Sequence, residues 1–146
     1  SEKDVVMTGT RAVPFFSEDF EKVVDKSNLS LPGWANIVQN GSLFWKGGVY
    51  SGNGYAEFSI SGTKVVSNVA STNFDGLNVT KATWVPLVVN LPKQATPWYQ
   101  FVGSGAVDLS SYKGKINIAF KYIGSGKNLA LDGAFQVDDV QIFGDK

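Results

Sequence analysis

Apolar and polar side chains alternate along much of this chain with a period of two, the pattern of strands that bury one face. Residues 133–143 read Gly-Ala-Phe-Gln-Val-Asp-Asp-Val-Gln-Ile-Phe, an alternation with few breaks. Residues 115–122 place Ile116, Ile118, Phe120 and Tyr122 on one side and Asn117, Ala119 and Lys121 on the other. In residues 55–60, Tyr55, Glu57 and Ser59 lie opposite Ala56, Phe58 and Ile60. Residues 83–89 are also extended, with Pro86 placing them at an edge or a bulge because proline cannot donate to a ladder. Shorter candidates are residues 5–8, 14–20, 43–45, 63–69 and 99–102.

Between these runs the punctuation is dense. Asn40-Gly41, Asp75-Gly76 and Asp132-Gly133 are turn dipeptides, and Gly103-Ser104-Gly105 and Gly124-Ser125-Gly126 mark loops. One helical turn is expected near residues 17–26 and a short turn at 110–114. Many short strands with frequent turns predict an all-β, antiparallel β-sandwich. Residues 13–146 are expected to form one domain, and residues 1–12 a lead-in that is mobile in part.

Composition removes whole classes of function. The 146 residues include no cysteine and no histidine. That excludes disulfides, thiol nucleophiles, Ser-His-Asp triads, Cys/His zinc sites and histidine switches. Thirteen basic and thirteen acidic side chains balance, which gives no footprint for nucleic acid or an anionic bilayer. No apolar stretch approaches the roughly 18 residues of a transmembrane segment. At 43% hydrophobic, with ten Phe, the chain has the material for a core.

Three segments together resemble a known group. Phe15-Phe16-Ser17-Glu18-Asp19-Phe20-Glu21 with Leu31-Pro32-Gly33-Trp34 is similar to the opening of a group of uncharacterised extracellular lipoprotein domains from Bacteroidetes. These are grouped with choice-of-anchor and cleaved-adhesin modules. Ser71-Thr72-Asn73-Phe74-Asp75-Gly76 with Ala82-Thr83-Trp84-Val85-Pro86-Leu87 resembles their central segment. Val107-Asp108-Leu109-Ser110, Ala119-Phe120-Lys121-Tyr122 and Val137-Asp138-Asp139-Val140 resemble the closing one. The likeness runs from about residue 14 to residue 143.

The resemblance implies a jelly-roll sandwich related to carbohydrate-binding and MAM-like modules. It also implies an extracellular place at the outer-membrane surface, lipid-anchored through a cysteine that follows a signal peptide. Neither signal nor cysteine occurs in this sequence, as expected of a processed or shortened piece. The chain departs from the group between Phe58 and Ser71, where the group carries a "W-L-I-S-P"-like strand and a following strand. A shortened sheet with an exposed edge is the expectation that follows.

Carboxylates are the first candidate chemistry. In an extended segment Asp19 and Glu21 share a face and Glu18 points away, while Asp138 and Asp139 face opposite sides. The resembled jelly rolls tie their first and last strands with a calcium ion, a hard cation that takes oxygen ligands. Motif by motif, Asp19, Glu21 and Asp138 are the residues that would hold it, as a structural cross-link. The plainer alternative is solvated strand-edge charge, or pairing with Lys22 and Lys115. Asn73, Asp75 and Asn78 do not have EF-hand spacing and read as a hairpin turn.

Aromatic residues are the second. Sugar sites stack aromatic faces on C–H patches, with amides and carboxylates reaching the hydroxyls. Trp34 and Trp84 read as core. Trp45, Tyr50 and Trp98 sit beside loops and are the candidate platforms, ordinary partial burial being the alternative. A glycosidase would need two carboxyl groups about 5–5.5 Å or about 6.5–9.5 Å apart across a cleft. Asp138 and Glu21 are the nearest approximation, and a small sandwich without a long lid is a poor setting. Three Asn-x-Ser/Thr sequons, at Asn28, Asn40 and Asn78, read as coincidental given the bacterial source that the resemblance implies.

The sequence therefore points to a non-catalytic, extracellular glycan-binding or glycan-presenting module whose partner is a polysaccharide or surface glycan. The alternative is a structural or adhesion module that contacts other proteins of a surface assembly.

Overall fold

The computed structural model describes residues 13–58, 65–71, 84–87, 89, 99–114, 116–127 and 133–144. Among these residues there are eight strands and no helix. They are β1 (Phe16–Glu18), β2 (Trp34–Asn40), β3 (Lys46–Tyr50), β4 (Asn53–Phe58), β5 (Val66–Ser71), β6 (Ala119–Ile123), β7 (Phe135–Val137) and β8 (Val140–Ile142). Every pairing between these strands is antiparallel. The orders are β2-β5-β6, β3-β4-β7 and the pair β1-β8. The chain is thus all-β and sandwich-like. No helix among the described residues is long and apolar enough to cross a membrane.

One core joins the sheets. Ala56 and Phe58 of β4 meet Val69 of β5 and Tyr122 of β6, with Phe20, Leu29, Leu31, Trp45 and Val65 filling in around them. The rings of Phe58 and Tyr122 stack across the layers at 4.2 Å. Central β5 is covered on both faces, so its Ser67 and Ser71 are fully buried. Buried polar atoms need partners, and Ser67 Oγ donates to the Ile37 carbonyl at 3.2 Å while its own carbonyl accepts Trp45 Nε1–H at 3.2 Å.

Two strands lie where the sequence pattern marks none. β2 has no clean alternation, and most of it is half-buried on both faces. It is fixed by Asn36, whose amide donates to the Leu29 and Trp45 carbonyls and whose Oδ1 accepts the Trp45 N–H. β3 contains Gly47-Gly48, poor strand formers by propensity. Gly48 is required by packing, because a Cβ there would overlap the Tyr55 ring.

Elsewhere the expected elements shrink or change. Residues 14–20 yield β1 and residues 115–122 yield β6. The expected helical turn at 17–26 is absent; Asp25 and Asn28 instead form bridges to β3. Gly47 N donates to the Ser27 carbonyl at 2.9 Å and Lys26 N to the Gly47 carbonyl at 3.0 Å. That edge of β3 is therefore covered by residues 25–28. Residues 43–45, 84–87, 89 and 99–102 are not in strands. A turn at 110–111 is closed by Tyr112 N on the Leu109 carbonyl at 2.9 Å. Residues 1–12, the 59–64 segment, the Asp75-Gly76 turn and Asp132 lie outside the described residues.

The run 133–143 is broken into β7 and β8 by Asp138-Asp139, with Asp139 at φ 49. β7 pairs with β4 and β8 pairs with β1, so the kink carries the chain from one sheet to another.

Candidate functional site

The β3-β4-β7 register builds the site. Ala56 and Phe58 point into the core, so Tyr55 and Glu57 of the same strand point outward. Cross-strand pairs on that outer face are Gly48 with Tyr55, Tyr50 with Asn53, Lys46 with Glu57, and Glu57 with Gln136. Onto it fold Tyr99 and Phe101 from the loop 99–114. Tyr50 and Tyr99 stack face to face, 3.9 Å apart and 7° from parallel. Tyr50 is 53% exposed and Tyr99 40%. Tyr55 beneath them is only 3% exposed, covered by the tilted rings of Tyr99 at 5.9 Å and Phe101 at 5.6 Å.

A polar rim borders the rings. Tyr99 N donates to Gln136 Oε1 at 3.1 Å, and Gln136 Nε2 donates to Glu57 Oε1 at 3.1 Å. Burial, followed by the charge of Glu57 and the neighbouring Tyr99, pushes the Tyr55 phenol well above the ordinary tyrosine range. It stays a protonated donor. Tyr99 holds φ 70, a backbone cost of about 1–3 kcal/mol for a bulky residue.

A second cluster lies at the end of the β3–β4 hairpin. Gly54 N donates to Glu21 Oε2 at 2.9 Å, and Asn53 Nδ2 donates to Asp138 Oδ2 at 2.9 Å. Burial raises the Asp138 carboxyl above the ordinary carboxylate range, and the charges of Asp139 and Glu21 add to this. The hydrogen bonds from Asn53 and from Asp139 N oppose it.

No family model, curated protein or solved structure matches this chain.

The residues singled out from sequence have separate fates. Tyr50 is an exposed aromatic of the outer face. Trp45 is not: it is 2% exposed, edge-on to Phe58 at 5.6 Å. Its position before Gly47-Gly48 suggested a loop, but those glycines belong to β3 and carry Trp45 inward, so its faces are closed to a ligand. Trp98 lies outside the described residues. Glu21 and Asp138 converge on Asn53-Gly54, joining the end of β1 to the β7–β8 kink.

Asp19 does not join them. Phe20 at φ 55 breaks the alternation that would put Asp19 and Glu21 on one face, and Asp19 Oδ1 accepts the Glu21 N–H at 3.0 Å instead. Glu18 turns inward, accepting Trp34 Nε1–H at 2.8 Å and Phe20 N–H at 2.9 Å. Among the described residues no group of three potential ligands that could hold a metal forms. The three-carboxylate set expected for calcium is therefore reduced to two.

Glu57, Phe101 and Gln136 carry no signal in the sequence reading, and Tyr55 and Tyr99 stand there among the many aromatics but not among the platforms. The signal for Tyr55 was present: a large aromatic on the polar side of an alternating strand, where nothing local explains its burial.

Proposed function

We propose that this chain is a non-catalytic extracellular module that binds or presents glycan, a jelly-roll-type sandwich of the Bacteroidetes lipoprotein-domain kind. The observation that carries this reading is the exposed, flat Tyr50 ring on the outer face of β3, stacked by Tyr99 and bordered by Gln136 and Glu57. Such a ring offers an apolar face for the C–H side of a pyranose, and the amide and carboxylate beside it suit hydroxyls. Its place is the outer-membrane surface, lipid-anchored in the full-length protein. A structural calcium belongs to the same reading, now on Glu21 and Asp138 with backbone carbonyls. It would tie the first strand to the last through the β3–β4 hairpin. A glycan array probed with the protein in calcium-containing buffer tests the reading.

A structural or adhesion role is the second reading. It is favoured by an open groove of about 340 Å³ between β6 and β7, lined by Lys121, Ile123, Gly124 and Phe135. Ile123 is 63% exposed and Phe135 45%. Light scattering across a concentration series separates the two: self-association with no glycan bound favours this one.

A further inference from the structure

Tyr99 combines two properties that an ordinary surface aromatic lacks. Its φ of 70 suits glycine and is an outlier for a bulky side chain, which persists only where the surroundings over-determine it. Its ring lies flat on Tyr50 and leans on Tyr55. The main chain is pinned by the bond from Tyr99 N to Gln136 Oε1 at 3.1 Å. Rotation about χ1 therefore moves the ring while the backbone stays in place.

Beneath that ring is a wider floor. Tyr50 and Tyr55 stand on neighbouring strands and face the same way, one from the Tyr50–Asn53 pair and one from the Gly48–Tyr55 pair. Because Gly48 has no side chain, the Tyr55 ring lies over β3 at that residue; any Cβ at Gly48 would strike it. Tyr55 belongs to the outer face by register; its ring lies over Gly48 of β3 and is covered by the rings of Tyr99 and Phe101.

We infer that Tyr99 is a built-in occupant of the platform: its ring fills the place on Tyr50 and beside Tyr55 that a sugar ring takes, and ligand enters by displacing it. This rests on the glycan-binding reading above and adds a selection rule to it. Displacing Tyr99 forfeits a ring–ring stack and a side-chain hydrogen bond with Tyr55, and only a ligand that presents a flat apolar face beside a polar group replaces both. A ligand that reaches only Gln136 and Glu57 leaves the ring where it is. Apparent affinity is lowered by the fraction of molecules whose ring is in place.

Tyr99→Gly and Tyr99→Asn test this, since both residues accept positive φ while removing the ring. The first readout needs no ligand: nitration by tetranitromethane, located by mass spectrometry. Tyr55 is expected to be protected in the parent and modified several-fold faster in both variants; equal protection overturns the inference. The second is calorimetric titration with soluble mannan, xylan and β-glucan. Both variants are expected to bind whichever of these the parent binds about tenfold more tightly. Weaker binding would make Tyr99 part of the platform rather than its cover, and would also overturn the inference. If none of the three binds parent or variants while Tyr55 is unmasked, it is the glycan reading, and with it the exchange, that fails.

Discussion

The ring of Phe58 lies 4.2 Å from that of Tyr122 and 17° from parallel to it, joining the β3-β4-β7 sheet to β2-β5-β6 through the middle of the core. Phe58 is 2% exposed, and Tyr122 also donates its hydroxyl to the Gly133 carbonyl at 2.6 Å. Phe58→Ala should cost about 3–5 kcal/mol, the range for emptying a buried phenylalanine site. Urea unfolding followed by fluorescence measures it. A loss below about 1 kcal/mol would mean that the sheets do not depend on this contact.

Asn36 serves three backbone groups at once, the carbonyls of Leu29 and Trp45 and the N–H of Trp45. Asn36→Ala leaves them without these partners in a half-buried setting, and an expected loss of about 2–4 kcal/mol follows from the cost of unsatisfied groups. Asn36→Asp keeps the acceptor for Trp45 N–H but not the donors. A carboxylate oxygen then faces the Leu29 and Trp45 carbonyls, so the stability of this variant should fall at least as far as that of Asn36→Ala in the same unfolding assay.

Glycine positions separate packing from backbone conformation. A Cβ at Gly54 would overlap the Phe20 carbonyl oxygen, which belongs to a main chain that cannot swing aside. Gly52, at φ 78, has open space around it. Gly54→Ala is expected to lose about 1–3 kcal/mol or more through overpacking. Gly52→Ala should lose only about 1 kcal/mol, through its positive φ. Thermal melts of the two variants check the order.

Asp138 sets a pH dependence. Its carboxyl is raised first by burial, so the native state takes up this proton at a higher pH than the unfolded chain does. The native state binds more protons in the window from the ordinary 3.8 up to the raised value. This group's contribution to stability therefore falls as pH rises through that window, and the penalty is complete above it. Asp138→Asn should be more stable than the parent at pH 7 in metal-free buffer, with the difference vanishing below pH 3.8. Chemical unfolding across pH, taken as the difference between the two proteins, measures it.

Calcium reverses that comparison. A cation bound only by the native state stabilises it by mass action, and Glu21 and Asp138 must be ionised to hold it. Chelation should lower the parent Tm, while Asp138→Asn should show little response. No shift in the parent with excess chelator would remove the ion from the account.

Alternation made β4 and β6 legible because each turns alternate residues into the core, Ala56 and Phe58 from β4 and Phe120 and Tyr122 from β6. It was silent about β2 and β3, where Asn36 and Gly48 answer to distant backbone and to the Tyr55 ring rather than to their neighbours in sequence. The same limit misplaced Asp19. A face is read correctly from spacing only while the backbone stays extended, and Phe20 and Asp139 at positive φ interrupt it beside the carboxylates of interest. Tyr50 was legible as an aromatic near a turn. Its partner Tyr99 comes from a remote loop, so their stack follows from tertiary folding alone, and so does the inward turn of Trp45.

The most direct test of glycan binding is a glycan array probed in parallel with the parent and Tyr50→Ala, both in calcium. Tyr50 is 53% exposed and lies outside the core, so the variant should melt close to the parent. The expected result is a defined set of polysaccharide signals from the parent that falls at least tenfold in the variant, in keeping with the loss of a stacking floor. Parent signals that survive Tyr50→Ala unchanged, or no signal from a folded parent, would contradict the account.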